Sequence, residues 1–147
     1  ISLIPFFLPK ILVATLCGII IGLDRELKQK VAGIRTFILI CVGCCLLTSI
    51  SFYLSFLNQD IDPTRIIGQI ITGIGFIGAG VIMKTDDKIH GVTTAAFIWV
   101  ICAIGVLAGT GAIYTPIIIT FGLLIISLIF EKVEKYIKYI KNGAPRD

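Results

Sequence analysis

The sequence predicts an all-α protein: a polytopic transmembrane helix bundle of about five helices, N-terminus outside and C-terminus cytoplasmic. Three observations carry this. Hydrophobic residues are 56% of the 147 and charged residues only 15%, with a mean hydropathy of +1.01. A soluble domain carries about 25% charged residues, so this chain cannot cover its own surface with polar groups and the bilayer is its solvent. The charges are clustered, which leaves uncharged stretches of spanning length, and Lys and Arg gather in alternate loops.

A bilayer-crossing helix needs about 20 apolar residues, with a range of roughly 17–25. Leu3–Leu23 holds one charge, Lys10, near its start. Phe37–Leu57 and Ile66–Met83 hold none, and Val92–Phe130 is uncharged and divided by Gly109, Gly111 and Pro116. Helices are therefore predicted at 3–23, 36–57, 64–83, 92–109 and 112–130. They form one transmembrane domain, 1–130, followed by a basic cytoplasmic tail, 131–147. Pro5 and Pro9 place the effective start of the first helix near Pro9, with Lys10 snorkelling outward. No positive segment precedes the first apolar run, so it is not read as a signal peptide. The third helix has a marked start: Asp62 as N-cap, Pro63 in the first turn, then Arg65. Gln69, a turn further in, and Thr72 are its intramembrane polar residues, and Gln69 needs a partner there. The tail alternates charge with Val, Tyr and Ile, which suits a short amphipathic surface helix or the solvated end of helix five.

Eleven of the 13 Lys and Arg residues fall in the first loop, the third loop and the tail. These share one side of a five-helix chain, and the positive-inside rule makes that side cytoplasmic. Cys17, Cys41, Cys44, Cys45 and Cys102 all lie inside predicted spans, where free Cys behaves as a small apolar residue. The Cys41–Cys44 pair has C-x-x-C spacing, but no His or further ligand is expected beside it, and no metal site is predicted.

Residues 73–80 read GIGFIGAG, and Gly73, Gly75 and Gly78 fit the dinucleotide fingerprint G-x-G-x-x-G. That fingerprint requires a preceding strand and an acidic residue about 20 positions on. Here the glycines lie mid-span, so a nucleotide site is rejected. At helical spacing Gly68, Thr72, Gly75 and Ala79 share one face, and Gln69, Gly73 and Gly80 share a second. Small residues let helices approach closely in lipid, so helix three is expected at the centre, packed on both faces. Trp99, also mid-span, is expected to pack and to bond its indole N–H to a neighbouring helix.

The first and third loops align at a constant offset of 58. Gly22, Lys30, Gly33 and Thr36 fall on Gly80, Lys88, Gly91 and Thr94. Helices 1–2 and 3–4 then form a parallel repeat about the membrane normal. Helices two and four would each open beside a Gly at the cytoplasmic surface, where free N–H groups favour anions. The expected polar cluster contains Arg25, Glu26, Lys30, Gly33, Arg35, Thr36, Lys88, Gly91, Thr93 and Thr94, with Glu26 pairing one of its cations. It would bind an anion, a lipid headgroup or an acidic partner; plain positive-inside anchoring explains the same charges. His90 stands alone. Asp86 and Asp87 are adjacent carboxylates in an exposed loop with Lys on both flanks, where a divalent-cation site is the less favoured reading.

These motifs carry a family resemblance. Arg25-Glu26 with Lys30-Val31-Ala32-Gly33-Ile34-Arg35-Thr36 resembles the cytoplasmic signature of the MgtC/SapB membrane proteins. So do Asp62-Pro63-Thr64-Arg65 with Gln69 and the glycine helix, and Gly91-Val92-Thr93-Thr94-Ala95-Ala96 with Trp99 and Gly105. The match covers roughly residues 10–115. Phe37 stands where many members have His, and Asp24 where many have Glu. The resemblance implies the membrane-domain-only branch, in the bacterial inner membrane, linked to magnesium limitation and, in pathogens, to intracellular survival.

The expected function is that of a regulatory or interaction protein, not an enzyme, with no cofactor. Its expected partners are the bilayer, a homo-oligomer with a dimer favoured, and other membrane proteins, and no nucleic acid. The alternative is a magnesium, ion or solute transporter or channel acting as an oligomer. Six carboxylates at span ends, Asp24, Glu26, Asp60, Asp62, Asp86 and Asp87, are the candidate ligands for magnesium.

Overall fold

Long apolar runs in lipid must satisfy their own backbone polar groups, and helices do this within one segment. The structure, a computed structural model, describes residues 4–85 and 88–142. Five helices result: α1 (Ile4–Leu27), α2 (Ile34–Leu57), α3 (Thr64–Gly80), α4 (Val92–Gly109) and α5 (Tyr114–Asn142). All but α3 are long and apolar enough to cross a membrane on an 18-residue criterion. The 17 residues of α3 rise about 25 Å, the short end of the spanning range. Between α3 and α4 lies a short exposed antiparallel hairpin, β1 (Met83–Thr85) and β2 (Lys88–His90), in which Lys84 pairs with Ile89. Helix three accordingly stops at Gly80 rather than at residue 83. Asp86, Asp87, Leu3 and the tail beyond residue 142 lie outside the described residues.

The first helix does not wait for Pro9. It starts by Ile4 and runs through Pro9. Pro5 sits in the first turn, where the missing N–H is no loss, and Pro9 forfeits one bond in a setting that offers the backbone no better alternative. Lys10 reaches back toward the N-terminal end as expected, but under cover of the protein. It is 9% exposed, its Nζ lies 3.7 Å from the Phe6 ring centroid, and its stem reaches Gly111 beyond the C-terminal end of α4. An aromatic face and the negative end of a helix dipole both favour an ammonium there. Helix five continues past Phe130 and takes residues 131–142 into one helix.

The core lies where α1, α2 and α4 meet, around Ala14, Cys17, Ile21, Phe37, Cys41, Ile98, Ile101 and Cys102. Isolated glycines make these crossings close. A Cβ on Gly18 would stand 2.7 Å from Ile38 Cα, and one on Gly109 would stand 2.7 Å from the Cys45 carbonyl oxygen. Ser49 Oγ donates to the Gly109 carbonyl oxygen at 3.1 Å and ties α2 to the end of α4. All five cysteines are free and buried. Helix five packs on α1 and α4, with Thr120 Oγ1 donating at 2.7 Å to the Pro116 carbonyl oxygen in its own helix.

The 58-residue offset reappears in space. Helices α2 and α4 begin at Ile34 and Val92, 58 positions apart. Cys44 and Cys102, also 58 apart, touch across the crossing with sulfurs at 3.3 Å. Contact between equivalent positions is what a two-fold relation between repeats gives for residues beside its axis. The partner helices keep the same neighbours but not the same burial: α3 lies against α4 and part of α2, as α1 lies against α2 and α4, but α1 packs more extensively and also meets α5, which leaves α3 at the edge.

Candidate functional site

The end of α1, the loop after it, the start of α4 and the middle of α5 converge on one basic end of the bundle. Arg25 is its centre, only 3% exposed. Its Nε donates at 2.8 Å to the Asp24 carboxylate, which Nη2 also meets, and Nη2 donates at 3.0 Å to Ser127 Oγ on α5. The guanidinium carbon stacks 3.9 Å from the Phe97 ring centroid on α4. A buried charge is tolerable when it is paired and hydrogen-bonded, as Nε and Nη2 are here. Lys28 bridges the same Asp24 at 2.9 Å and Glu131 on α5 at 2.7 Å, and Lys135 meets Glu131 at 3.1 Å. Burial works to lower the Lys28 pKa, but its bonds to Glu131 and Asp24 outweigh that and hold the ammonium above its usual value.

These groups rim a cavity of 560 Å³ between α1, α4 and α5. Arg25, Lys28, Lys30, Thr93, Glu131 and Glu134 form the polar end, and Phe97, Val100, Leu123, Ile126 and Phe130 form the apolar walls. Of the ten residues expected in a polar cluster, the structure brings Arg25, Lys30 and Thr93 together here. Arg35 and Lys88 are exposed and line no part of it. Thr36 is half-buried and Thr94 is buried under the start of α4.

Glu26 does not pair with a cation among the described residues. Its carboxylate accepts the Ile34 N–H at 2.8 Å and so caps α2 from eight residues upstream. A Cβ on Gly33 would overlap that carboxylate; Gly33 is there to let Glu26 in, and the anion site expected at this helix start is filled by the chain itself. Gly91 differs. Its φ of 88° is left-handed, a Cβ there would overlap the Val81 carbonyl oxygen, and α4 receives no side-chain cap from the described residues.

Helix three also departs from expectation. Its start is capped as the sequence suggests, one position out: Asp62 accepts the Thr64 N–H at 2.9 Å and the Thr64 hydroxyl. These bonds from Thr64 hold the Asp62 carboxyl below its usual pKa. The helix is not central, however. Ile70, Ile74 and Gly78 face the bundle, with the nearest α4 atoms 3.9 Å from a Cβ on Gly78. Gly68, Gly73, Gly75 and Gly80 have open space among the described residues, and Gln69, Thr72 and Ala79 are exposed with them. Arg65 is exposed, and Thr72 Oγ1 donates to the Gly68 carbonyl oxygen at 3.0 Å. Trp99 is 54% exposed, borders a small groove with Ile71 and Ile74, and makes no indole hydrogen bond among the described residues. Within one chain the small faces are therefore not packing faces. The ridge that packs is the set of isoleucines between them.

Reading the sequence missed Lys28, Phe97, Ser127, Glu131 and Glu134 as site residues. Asp24–Lys28 and Glu131–Lys135 are i,i+4 pairs that mark helix ends, and Ser127 is a lone hydroxyl in an apolar run. Those signals were present; what brings them together is the packing of α5 on α1.

Residues 11–136 match the MgtC family. The chain belongs to that family. It is 45% identical over 113 residues to SapB of Bacillus subtilis, covering 73% of this chain and 49% of that protein. It is 45% identical over 111 residues to YhiD of Escherichia coli K12, whose own description proposes magnesium transport, covering 72% and 51%. MgtC of Brucella abortus is 34% identical over 133 residues, covering 89% and 55%. The MgtC-family chain thus spans about half the length of these curated relatives. No solved structure matches.

Proposed function

We propose that the chain is a small regulatory protein of the bacterial inner membrane. It acts by binding other membrane proteins and a further copy of itself, in a response tied to magnesium limitation and virulence-type stress. One observation supports the interaction reading above all: among the described residues, nothing packs on the glycines of the two small-residue faces of α3, Gly68, Gly73, Gly75 and Gly80. In lipid, such faces let helix backbones associate closely. Gln69 shares one of these faces with Gly73 and Gly80 and is exposed; hydrocarbon offers its amide no partner, and a neighbouring helix does. The close α1–α2–α4 crossings favour regulation over passage through a single chain. The magnesium link is carried over from the description of the Escherichia coli relative and from the family. By the positive-inside rule the basic end faces the cytoplasm. The reading includes no catalytic role, cofactor or resident metal.

A second reading, ion or small-solute passage between copies, is favoured by Gln69 and Thr72, which would line a path along apposed α3 helices. Two measurements on the full chain separate the readings. Gly75→Cys, in a helix without native Cys, is expected to give a covalent dimer on mild oxidation in membranes; monomer alone would remove the self-association part. Protein in liposomes is expected to pass neither magnesium nor protons. A flux abolished by Gln69→Ala would install the transport reading instead.

A further inference from the structure

The cavity at the basic end has two halves of opposite character, and we propose that it holds an anionic phospholipid of the cytoplasmic leaflet. The phosphate sits at Arg25, Lys30 and Thr93, and one acyl chain lies between α4 and α5.

The polar half has donors to spare. The Arg25 side chain is almost fully buried, yet only Nε and Nη2 have protein acceptors among the described residues; a guanidinium has five N–H donors, and Nη1 is left free. Lys30 has no carboxylate within 4.0 Å among the described residues, and the Thr93 hydroxyl has no partner there. The rim carboxylates are already engaged: Glu131 by Lys28 and Lys135, Glu134 by Lys138 at 2.6 Å.

The two helix starts sharpen the point. At α2 the chain supplies its own anion, Glu26. The position 58 residues on from Glu26 is Lys84, so the repeat replaces that carboxylate with a cation, and among the described residues no side chain caps the first N–H groups of α4. Thr93, in that first turn, opens onto the cavity. Free helix N–H groups beside an Arg suit a phosphate.

The apolar half decides what kind of phosphate. Phe97, Val100, Leu123, Ile126 and Phe130 continue the cavity into the hydrocarbon zone, and Ile126 and Phe130 are exposed at its rim. A free anion has no use for this wall, and a neutral hydrocarbon has none for the cations. At 560 Å³ the space lies in the ordinary range for small-molecule sites, about 300–1,000 Å³. Anionic lipids of the cytoplasmic leaflet supply both halves. The site is remote from the α3 face, so its failure and that of partner binding are told apart by Gly75→Cys, which leaves the cavity untouched.

The test is native mass spectrometry of the full chain, released from an equimolar mixture of phosphatidylglycerol and phosphatidylcholine. The wild type is expected to retain phosphatidylglycerol preferentially. Lys30→Ala, at an exposed position, is expected to cut that retention about fivefold, the share of one basic residue against an anionic leaflet. Val100→Trp, which fills the apolar half and leaves every charge in place, is expected to abolish it. Equal retention of both lipids by the wild type overturns the proposal. So does displacement by excess inorganic phosphate, which would make the site one for a free anion.

Discussion

Two sets of glycines in this bundle look alike in sequence and behave oppositely. In the α1–α2–α4 seam, Cβ atoms on Gly18, Gly22, Gly105 or Gly109 would collide with the backbone of α2. On α3, Cβ atoms on Gly68, Gly73, Gly75 or Gly80 would meet nothing among the described residues. The contrast is sharpest between Gly22 and Gly80, equivalent in the 58-residue repeat: the first would put a Cβ 2.6 Å from Ile34 Cα, the second has open space. The density of glycine in a helix thus does not report how tightly that helix packs in its own chain. In the seam, single glycines sit among large residues and mark the point of crossing. On α3 the glycines crowd together on either side of the exposed Phe76, on the side of the helix turned away from the bundle. Close approach has been spent inside the chain in one case and kept for something outside it in the other.

The largest effect should come from the seam. Gly105→Ala gains about 1 kcal/mol in helix propensity, but its methyl would overlap the Cys41 carbonyl oxygen and stand 3.0 Å from Cys44 Cβ. A carbonyl in a packed helix cannot swing aside, so α2 and α4 must separate. Overpacking of this kind costs about 1–3 kcal/mol, and losing the contacts along the rest of the crossing places this case at the upper end. The five buried cysteines provide the readout: thiol labelling during thermal unfolding in detergent should begin at a clearly lower temperature. An unchanged midpoint would mean that the seam is looser than described.

Helix existence was legible because a bilayer enforces one simple rule, long uncharged runs, and the chain obeys it. The start of α4 at Val92 was legible from Gly91. What could not be read was rank among the helices. Hydrophobicity against lipid and hydrophobicity against protein are the same signal, so α3 seemed central on the strength of its glycines. Lys10 was legible in direction and not in surroundings. Snorkelling toward the near end is the default for an isolated helix, and the cover given by the Phe6 ring and the end of α4 depends on tertiary packing. In the site, Arg25 and Lys30 were found from charge; their convergence with Thr93, Ser127 and Glu131 depends on how α5 lies on α1, which no local pattern encodes.

Gly33→Ala should have a middling effect by a different route. Its φ of −111° suits any residue, so backbone strain is not at issue. The added methyl displaces the Glu26 carboxylate from the Ile34 N–H, and losing a helix cap costs about 0.5–2 kcal/mol. Glu26→Gln keeps an acceptor but drops the charge, and should lose less. If Gly33→Ala is silent in the same thiol-labelling measurement, Glu26 is not capping α2.

The smallest effect on folding should come from α3, and it divides the two glycine sets most cleanly. Gly73→Ala and Gly75→Ala together place methyls in open space and add helix propensity, at most about 1 kcal/mol per site. The unfolding midpoint should stay level or rise. The two positions cover both small faces, so if either is reserved for a second copy a methyl holds the backbones apart, and close-packed small-residue interfaces tolerate this poorly. Dimer yield in membranes should then fall while stability does not. A lower midpoint instead would mean that α3 packs within its own chain, and a full dimer yield would move the interface elsewhere. Only the combination of a stable fold and a lost dimer supports the view that glycine serves cohesion in the seam and recognition on α3.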